Sequence, residues 1–290
     1  MSHRVFLTCG NGFIGSHILA KLLDRAFDAA FKTDDDNPID AVFHTASPFS
    51  STPVEDKLEV LEPAIKGTLH LLSAVKVHAP SVRRVIVTGS CASVNPITWD
   101  EAIKADQSAA YRASKKFAEQ EAWSFMKEQN PHFDLVFLNP PTTFGPLRHS
   151  ISSLKDLNES SSRLRKACFD TTKESPIFYM PVHTYVDVRD LAEAQIQAML
   201  VPEAENQRFI VCARQFNFQH VSDILREQLP ELHERAPIGK PGTNSLPAGA
   251  YDIDNSKARK VLGIQFGSLE ETMLDTARYM LDLEKSEKAV

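Results

Sequence analysis

One glycine-rich turn near the start restricts this chain most. The strand-like run Arg4 to Leu7 leads into Gly10-Asn-Gly12-Phe13-Ile14-Gly15, and Ile18, Leu19, Leu22 and Leu23 then follow at helical spacing. Strand, glycine turn and helix together open a parallel α/β unit. The glycines let the backbone turn tightly and let a pyrophosphate reach amides at the positive end of a helix. A lone G-x-G-x-x-G is a weak signal, because any tight turn can use glycine. Its position between a strand and an amphipathic helix makes it a dinucleotide-binding turn.

Such a unit continues with a second strand whose end reads the adenosine ribose. None follows here. Ala26 to Lys32 reads as a short helix and Asp34 to Pro38 as a polar turn, before the apolar strand Ala41 to Ser47. The fold argument therefore expects a strand-helix-strand unit of roughly 30 to 45 residues to be missing between Arg25 and Ala26. Those two residues are then not neighbours in the full polypeptide. A smaller gap of the same kind is expected at Val94-Asn95.

Beyond this point strands and helices alternate. A helix is expected from Pro53 to Ala79, a strand at Val85 to Thr88, a helix ending near Gln129, a strand at Asp134 to Asn139 and a rigid turn from Pro140 to Pro146. Residues 147–176 are Ser- and Lys-rich and helical in part. Tyr185 to Asp190 leads into a helix, Arg208 to Cys212 is a strand, and helices are expected at Gln219 to Gln228 and Leu269 to Leu283, with a loop from Gly239 to Gly249. The fold class is α/β, a doubly wound parallel sheet with a smaller C-terminal domain. The dinucleotide-binding domain takes residues 1–146 with 185–212 returning to it, and the substrate domain takes 147–184 and 213–290.

Composition removes several function classes. With 32 Lys and Arg against 38 Asp and Glu the net charge is −6, and no basic run is long enough to follow a phosphate backbone, so nucleic acid is not an expected partner. No apolar run approaches about 18 residues, the length a membrane span needs. The four cysteines lie far apart without a C-x-x-C, and the ten histidines show no metal-ligand spacing. The expectation is a soluble cytoplasmic protein without a metal, a monomer or homodimer acting on a small molecule.

The chemistry gathers at Tyr111-Arg-Ala-Ser-Lys115. On a helix, residues four apart share a face, so the Tyr111 hydroxyl and Lys115 ammonium are neighbours. A fixed cation beside a phenol is expected to lower its pKa from about 10 and make it a proton donor. Ser90 sits in Gly89-Ser90-Cys91-Ala92-Ser93 after a strand, where open α/β sheets put their ligands. It can equally cap a turn there.

Thr8 to Gly15, His44 to Phe49, Ser90, Tyr111 to Lys115, Asn139 to Pro146 and Tyr185 to Asp190, taken in this order, resemble the extended short-chain dehydrogenase/reductases. Within them the chain is similar to the dihydroflavonol-reductase-like carbonyl reductases, including yeast methylglyoxal reductases. The resemblance runs nearly the whole chain. It implies a Rossmann fold, NADPH as cofactor with NADH not excluded, and reduction of aldehydes or ketones.

It further implies that Ser90 holds the substrate carbonyl, Tyr111 donates the proton, and Lys115 lowers the tyrosine pKa while binding the nicotinamide ribose. Gly10, Gly12, Phe13, Ile14, Thr45, Ala46, Pro140, Thr143 and Ser160 would contact the cofactor, and Phe49 and Thr142 would line the substrate pocket with Ser90. The chain departs from the family pattern at three places. Cys9 stands where glycine is usual, Lys66 where many relatives have an asparagine that anchors a relay water, and Ser90 to Tyr111 is shorter than expected by roughly fifteen residues.

Two other functions compete. A nucleotide-sugar epimerase or dehydratase shares the fold but needs basic groups for a diphosphate, and Arg148, Arg163, Arg165 and Lys166 are available. A non-catalytic dinucleotide sensor would have no need of the Tyr111 acid.

Overall fold

The structure, a computed structural model, describes residues 4–24, 39–46 and 54–288. In chain order the elements are β1 (Val5–Thr8), α1 (Phe13–Asp24), β2 (Ala41–His44), α2 (Leu58–His78), β3 (Arg84–Thr88), α3 (Trp99–Ala102), α4 (Gln107–Gln129), β4 (Asp134–Asn139), β5 (Thr142–Phe144), α5 (Glu159–Cys168), β6 (Thr184–Asp187), α6 (Val188–Leu200), β7 (Arg208–Ile210), β8 (Arg214–Gln215), α7 (Phe218–Gln228), α8 (Ser256–Leu262) and α9 (Leu269–Lys288).

Five strands form one parallel sheet in the order β1-β2-β3-β4-β7. Its strands are almost wholly apolar because helices cover both faces. Val42, Val85, Val87, Leu135 and Phe137 point to one face and meet Leu72, Val75 and Ala122 of α2 and α4. Phe43, Ile86, Val136 and Leu138 point to the other and meet Ile18, Leu22, Leu191 and Ala194 of α1 and α6. The sheet is doubly wound, as the sequence predicts. A further cluster, including Leu164, Phe218, Val221, Leu225, Met273 and Met280, joins α5, α7 and α9.

In a complete sheet of this kind the first strand is interior, in the order 3-2-1-4-5-6. Here β1 pairs with β2 alone among the described residues, and Phe6 on it is 48% exposed. The described strands are thus the first strand and those on one side of it. The Arg25-Ala26 junction, the helix expected at Ala26 to Lys32, the turn at Asp34 to Pro38 and Ser47 lie outside the described residues. The chain runs through a 3-10 turn, Cys91–Val94, and the Asn95 amide donates to the Ala92 carbonyl at 3.0 Å.

Several expected boundaries move. The strand expected to reach Ser47 ends at His44, because the Thr45 and Ala46 amides turn to the Thr8 hydroxyl rather than to a neighbouring strand. The rigid turn expected over Pro140 to Pro146 contains β5, whose Thr-Thr-Phe sequence favours a strand and pairs in parallel with β6. The strand expected to reach Cys212 ends at Ile210, the closing helix reaches Lys288, and α8 and β8 are unanticipated. α4 matches its expected end, with Asp106 capping its start by accepting the Ala109 amide at 2.7 Å.

The glycine turn shows why its residue types matter. A side chain at Gly15 would collide with the Cys9 carbonyl. Cys9 itself is left-handed at φ 54°, a conformation that costs an ordinary L-residue about 1–2 kcal/mol. Glycine relieves that cost and adds about 0.5–1 kcal/mol of chain entropy. Cys9→Gly should therefore stabilise the protein by about 0.5–1 kcal/mol, seen as a higher Tm in thermal melts. An unchanged or lower Tm would contradict a left-handed Cys9.

Candidate active site

Thr8, the last residue of β1, fastens the two loops that flank the sheet's switch point. Its Oγ1 accepts the amides of Thr45 and Ala46 at 3.0 and 3.1 Å, and the Thr45 hydroxyl donates to its carbonyl at 2.6 Å. With two amides aimed at its oxygen, the Thr8 hydroxyl proton faces His44 Nδ1, 3.1 Å away. His44 is then an acceptor there and neutral. Burial, followed by repulsion from Lys115, lowers its pKa to about 4, in agreement.

The cradle beside these loops fits a dinucleotide. Gly12 closes the turn through its amide to the Cys9 carbonyl at 2.9 Å, and α1 has no acidic residue in its first turn. The Phe13 and Ile14 amides heading that helix meet no acceptor among the described hydrogen bonds. This is the disposition a pyrophosphate requires. Thr45 and Ala46 border the cradle, but their amides are committed to Thr8.

Tyr111 and Lys115 lie on the first turns of α4. Buried Ala110, Ala113, Ala118 and Ala122 let this helix pack closely on the sheet and α2. Lys115 Nζ stands 5.4 Å from the centroid of the Tyr111 ring, a cation–π arrangement. The expected lowering of the tyrosine pKa is not found. Burial raises Tyr111 to about 12, with Arg163 opposing and Glu159 reinforcing the shift, while burial lowers Lys115 to about 8. Desolvation is the leading cause of both shifts.

Ser90 follows β3. Its hydroxyl oxygen accepts the Ala92 amide at 3.1 Å, so it does cap the 3-10 turn as the plainer reading expects. The same bond leaves the hydroxyl proton directed elsewhere, with no acceptor among the described residues. The turn is joined to α4 by Ser93 Oγ, which donates to the Lys115 carbonyl at 3.3 Å. The Cys91 amide donates to the Pro140 carbonyl at 3.0 Å, bringing the loop after β4 alongside.

Gly10, Gly12, Phe13 and Ile14 belong to the turn and helix that follow β1, Tyr111 and Lys115 stack on one face of α4, and the turn capped by Ser90 is tied to α4 through Ser93 and to the Pro140 loop through Cys91. Thr143 is buried with its hydroxyl donating to the Pro141 carbonyl at 3.3 Å, and Thr142 pairs with Tyr185 on β6. Ser160 lies in the first turn of α5, the helix whose Glu159 and Arg163 act electrostatically on Tyr111. Phe49 lies outside the described residues. Lys66 is exposed on α2 and paired with Glu62. An apolar cavity of about 440 Å³, walled by Phe178, Met180, Val182, Phe216 and Phe218, touches none of Ser90, Tyr111, Lys115 and Thr142.

Sequence reasoning included Asn139 in a motif without its role, and missed Glu119 and Arg208, which bond to it and to each other, and the roles of His44 and Glu159. The signal available was position alone. Glu119 is one helical turn beyond Lys115 on the same face of α4.

Residues 26–213 match the model of the NAD dependent epimerase/dehydratase family. The chain belongs to this family. The ketoreductase azaE of Aspergillus niger is 35% identical over 338 aligned positions, covering 97% of this chain and 98% of that protein. Because 338 positions exceed the 290 residues here, the fungal protein carries residues with no counterpart in this chain. The NADPH-dependent methylglyoxal reductase GRE2 of Saccharomyces cerevisiae is 37% identical over 89% of this chain and 81% of its own length. The crystal structure of yeast methylglyoxal/isovaleraldehyde reductase Gre2 complexed with NADPH superposes with a TM-score of 0.86 at 32% identity, covering 98% of this chain and 99% of that one. Among the described residues no helix is long and apolar enough to cross a membrane.

The buried Lys115 gives a stability prediction. Its pKa, lowered from 10.5 to about 8, means that below pH 8 the folded state bears the cost of a buried ammonium. Between about 8 and 10.5 the unfolded chain holds more protons, so this group makes stability rise with pH. Lys115→Met should be more stable than the parent at pH 7, with the advantage shrinking as pH rises to 10. Urea titrations showing a constant difference would refute the burial argument.

Proposed function

We propose that this protein is an NADPH-dependent carbonyl reductase that converts an aldehyde or ketone to an alcohol. What carries the reading is the half-buried Tyr111 over the buried Lys115, on the helix tied to the Ser90 turn, in a chain akin throughout its length to NADPH-dependent reductases. The Gly10–Gly15 turn, with Lys115, Pro140, Thr143 and Ser160, would hold NADPH, which when bound would supply hydride to the carbonyl carbon.

The remaining steps belong to the chain. Ser90, whose hydroxyl oxygen is occupied by the Ala92 amide, donates its proton as a hydrogen bond to the carbonyl oxygen and orients it. Tyr111, with its pKa near 12, is fully protonated at neutral pH and transfers that proton to the oxygen as charge develops. Lys115, still mostly ammonium at pH 7, stabilises the phenolate that forms. Its contribution thus falls on the transition state more than on the resting tyrosine. Residues 147–184 and 213–290 form the substrate-binding part, and Thr142 borders the pocket.

The epimerase reading loses ground on the basic residues it needs. Arg163 pairs with Glu159 at 3.0 Å and Arg165 with Asp170 at 3.0 Å, so both are committed to acids rather than presented to a diphosphate. A sensor would not require a protonated phenol over a buried lysine. The four unpaired cysteines support a cytosolic location.

Tyr111→Phe keeps the ring and removes the acid, so turnover should fall at least about 10²-fold with NADPH affinity nearly unchanged. Turnover of the parent should also decline above pH 8 as Lys115 loses its proton, a limb that Tyr111 cannot set. NADPH oxidation across aldehydes, diketones, aryl ketones and UDP-sugars, followed against pH, tests both. A Tyr111→Phe enzyme as fast as the parent would contradict the assignment.

A further inference from the structure

We infer that Glu119, gripped by Arg208, is a positioning residue that acts on the reaction through Asn139 and the backbone of Ser90. This inference rests on the role given to Ser90 above. Glu119 lies on α4 and is only 3% exposed. Its carboxylate receives Arg208 Nε at 2.8 Å and Nη2 at 3.2 Å, Asn139 Nδ2 at 3.3 and 3.2 Å, and Trp123 Nε1 at 3.4 Å. A buried carboxylate is costly unless its oxygens are matched in this way. An apolar side chain would fill the same space without that cost.

The carboxylate does what an apolar group cannot, which is to dictate the orientation of an amide. Because it only accepts, the Asn139 NH₂ must face it, and Asn139 Oδ1 is therefore turned toward Ser90. That oxygen accepts the Ser90 amide at 2.9 Å. Gly89 has no room for a side chain, since a Cβ there would strike the same Oδ1. Asn139 is wholly buried, so the amide has no water with which to exchange partners. The chain Arg208–Glu119–Asn139–Ser90 N thus fixes Ser90 in its extended conformation, φ −158° and ψ 148°, with its hydroxyl under the Ala92 amide.

Arg208 comes from β7, far along the chain, and its side chain is 43% exposed. It can be altered without opening the core. Releasing the clamp lets the Ser90 backbone shift, and an error of about 1 Å at a positioning group can cost up to ~10² in rate.

The test is a double-mutant cycle on the full chain, with methylglyoxal and NADPH as probes, reading kcat, KM, the NADPH dissociation constant and Tm. Glu119→Gln should lower kcat about tenfold, within the range for a displaced positioning group, with NADPH affinity unchanged. In a Ser90→Ala background the same substitution should cost nothing further, because its target is gone. Arg208→Met should behave like Glu119→Gln and serves in its place if that variant fails to fold, while Arg208→Lys should recover most of the loss. Equal fold-losses in the parent and Ser90→Ala backgrounds, or full activity of both single variants, would overturn the inference. If Ser90→Ala alone keeps full turnover, the role of Ser90 falls and this inference falls with it. Additive losses with an impaired Ser90→Ala would overturn the inference alone.

Discussion

The site depends on the parallel register of four strands. Thr8 lies opposite His44, His44 opposite Val87, and Thr88 opposite Leu138, so these strands all finish at one edge. The glycine turn, Thr45-Ala46, the Ser90 turn and the Pro140 loop therefore emerge at the same level. Helices on opposite faces open a crevice between β1 and β2, where α1 leaves toward one side and α2 toward the other. Thr8 closes the base of that crevice with hydrogen bonds that also end β2.

Electrostatics within the crevice follow burial more than pairing. His44, Tyr111 and Lys115 are all driven toward their neutral forms. In the mechanism proposed above, a tyrosine kept protonated beside a lysine that still holds its proton at neutral pH serves as the acid, with its stabilising charge in place. Removing water raises the cost of each charge at rest and strengthens each interaction that forms during reaction. Glu119 is a buried carboxylate with an arginine, an amide and an indole around it.

Much of this was legible in the sequence. The Gly10–Gly15 turn, the one-turn spacing of Tyr111 and Lys115, and the apolar strands at 85–88 and 134–139 depend on local periodicity, and local periodicity survives folding. β5 was not legible, because Pro140-Pro141 marks a turn and the strand that pairs with Thr142–Phe144 lies some forty residues away. The Glu119–Asn139–Arg208 cluster was hidden for the same reason: no local pattern joins residues from α4, β4 and β7. Lys115 as a ring-face cation, with a pKa set by burial, required side-chain placement rather than spacing. The strand expected after α1 was read from the sequence as absent, and residues 25–38 lie outside the described residues.

The central claim is that hydride passes to a carbonyl carbon at the edge where Ser90, Tyr111 and Lys115 meet. The most direct measurement uses NADPH deuterated at C4 of the nicotinamide, with a ketone as acceptor and mass spectrometry of the product. The account predicts an alcohol carrying one deuterium on the former carbonyl carbon from one of the two C4 epimers of the label. An alcohol without deuterium from either epimer, or a sugar nucleotide epimerised with no net NADPH consumed, would contradict it.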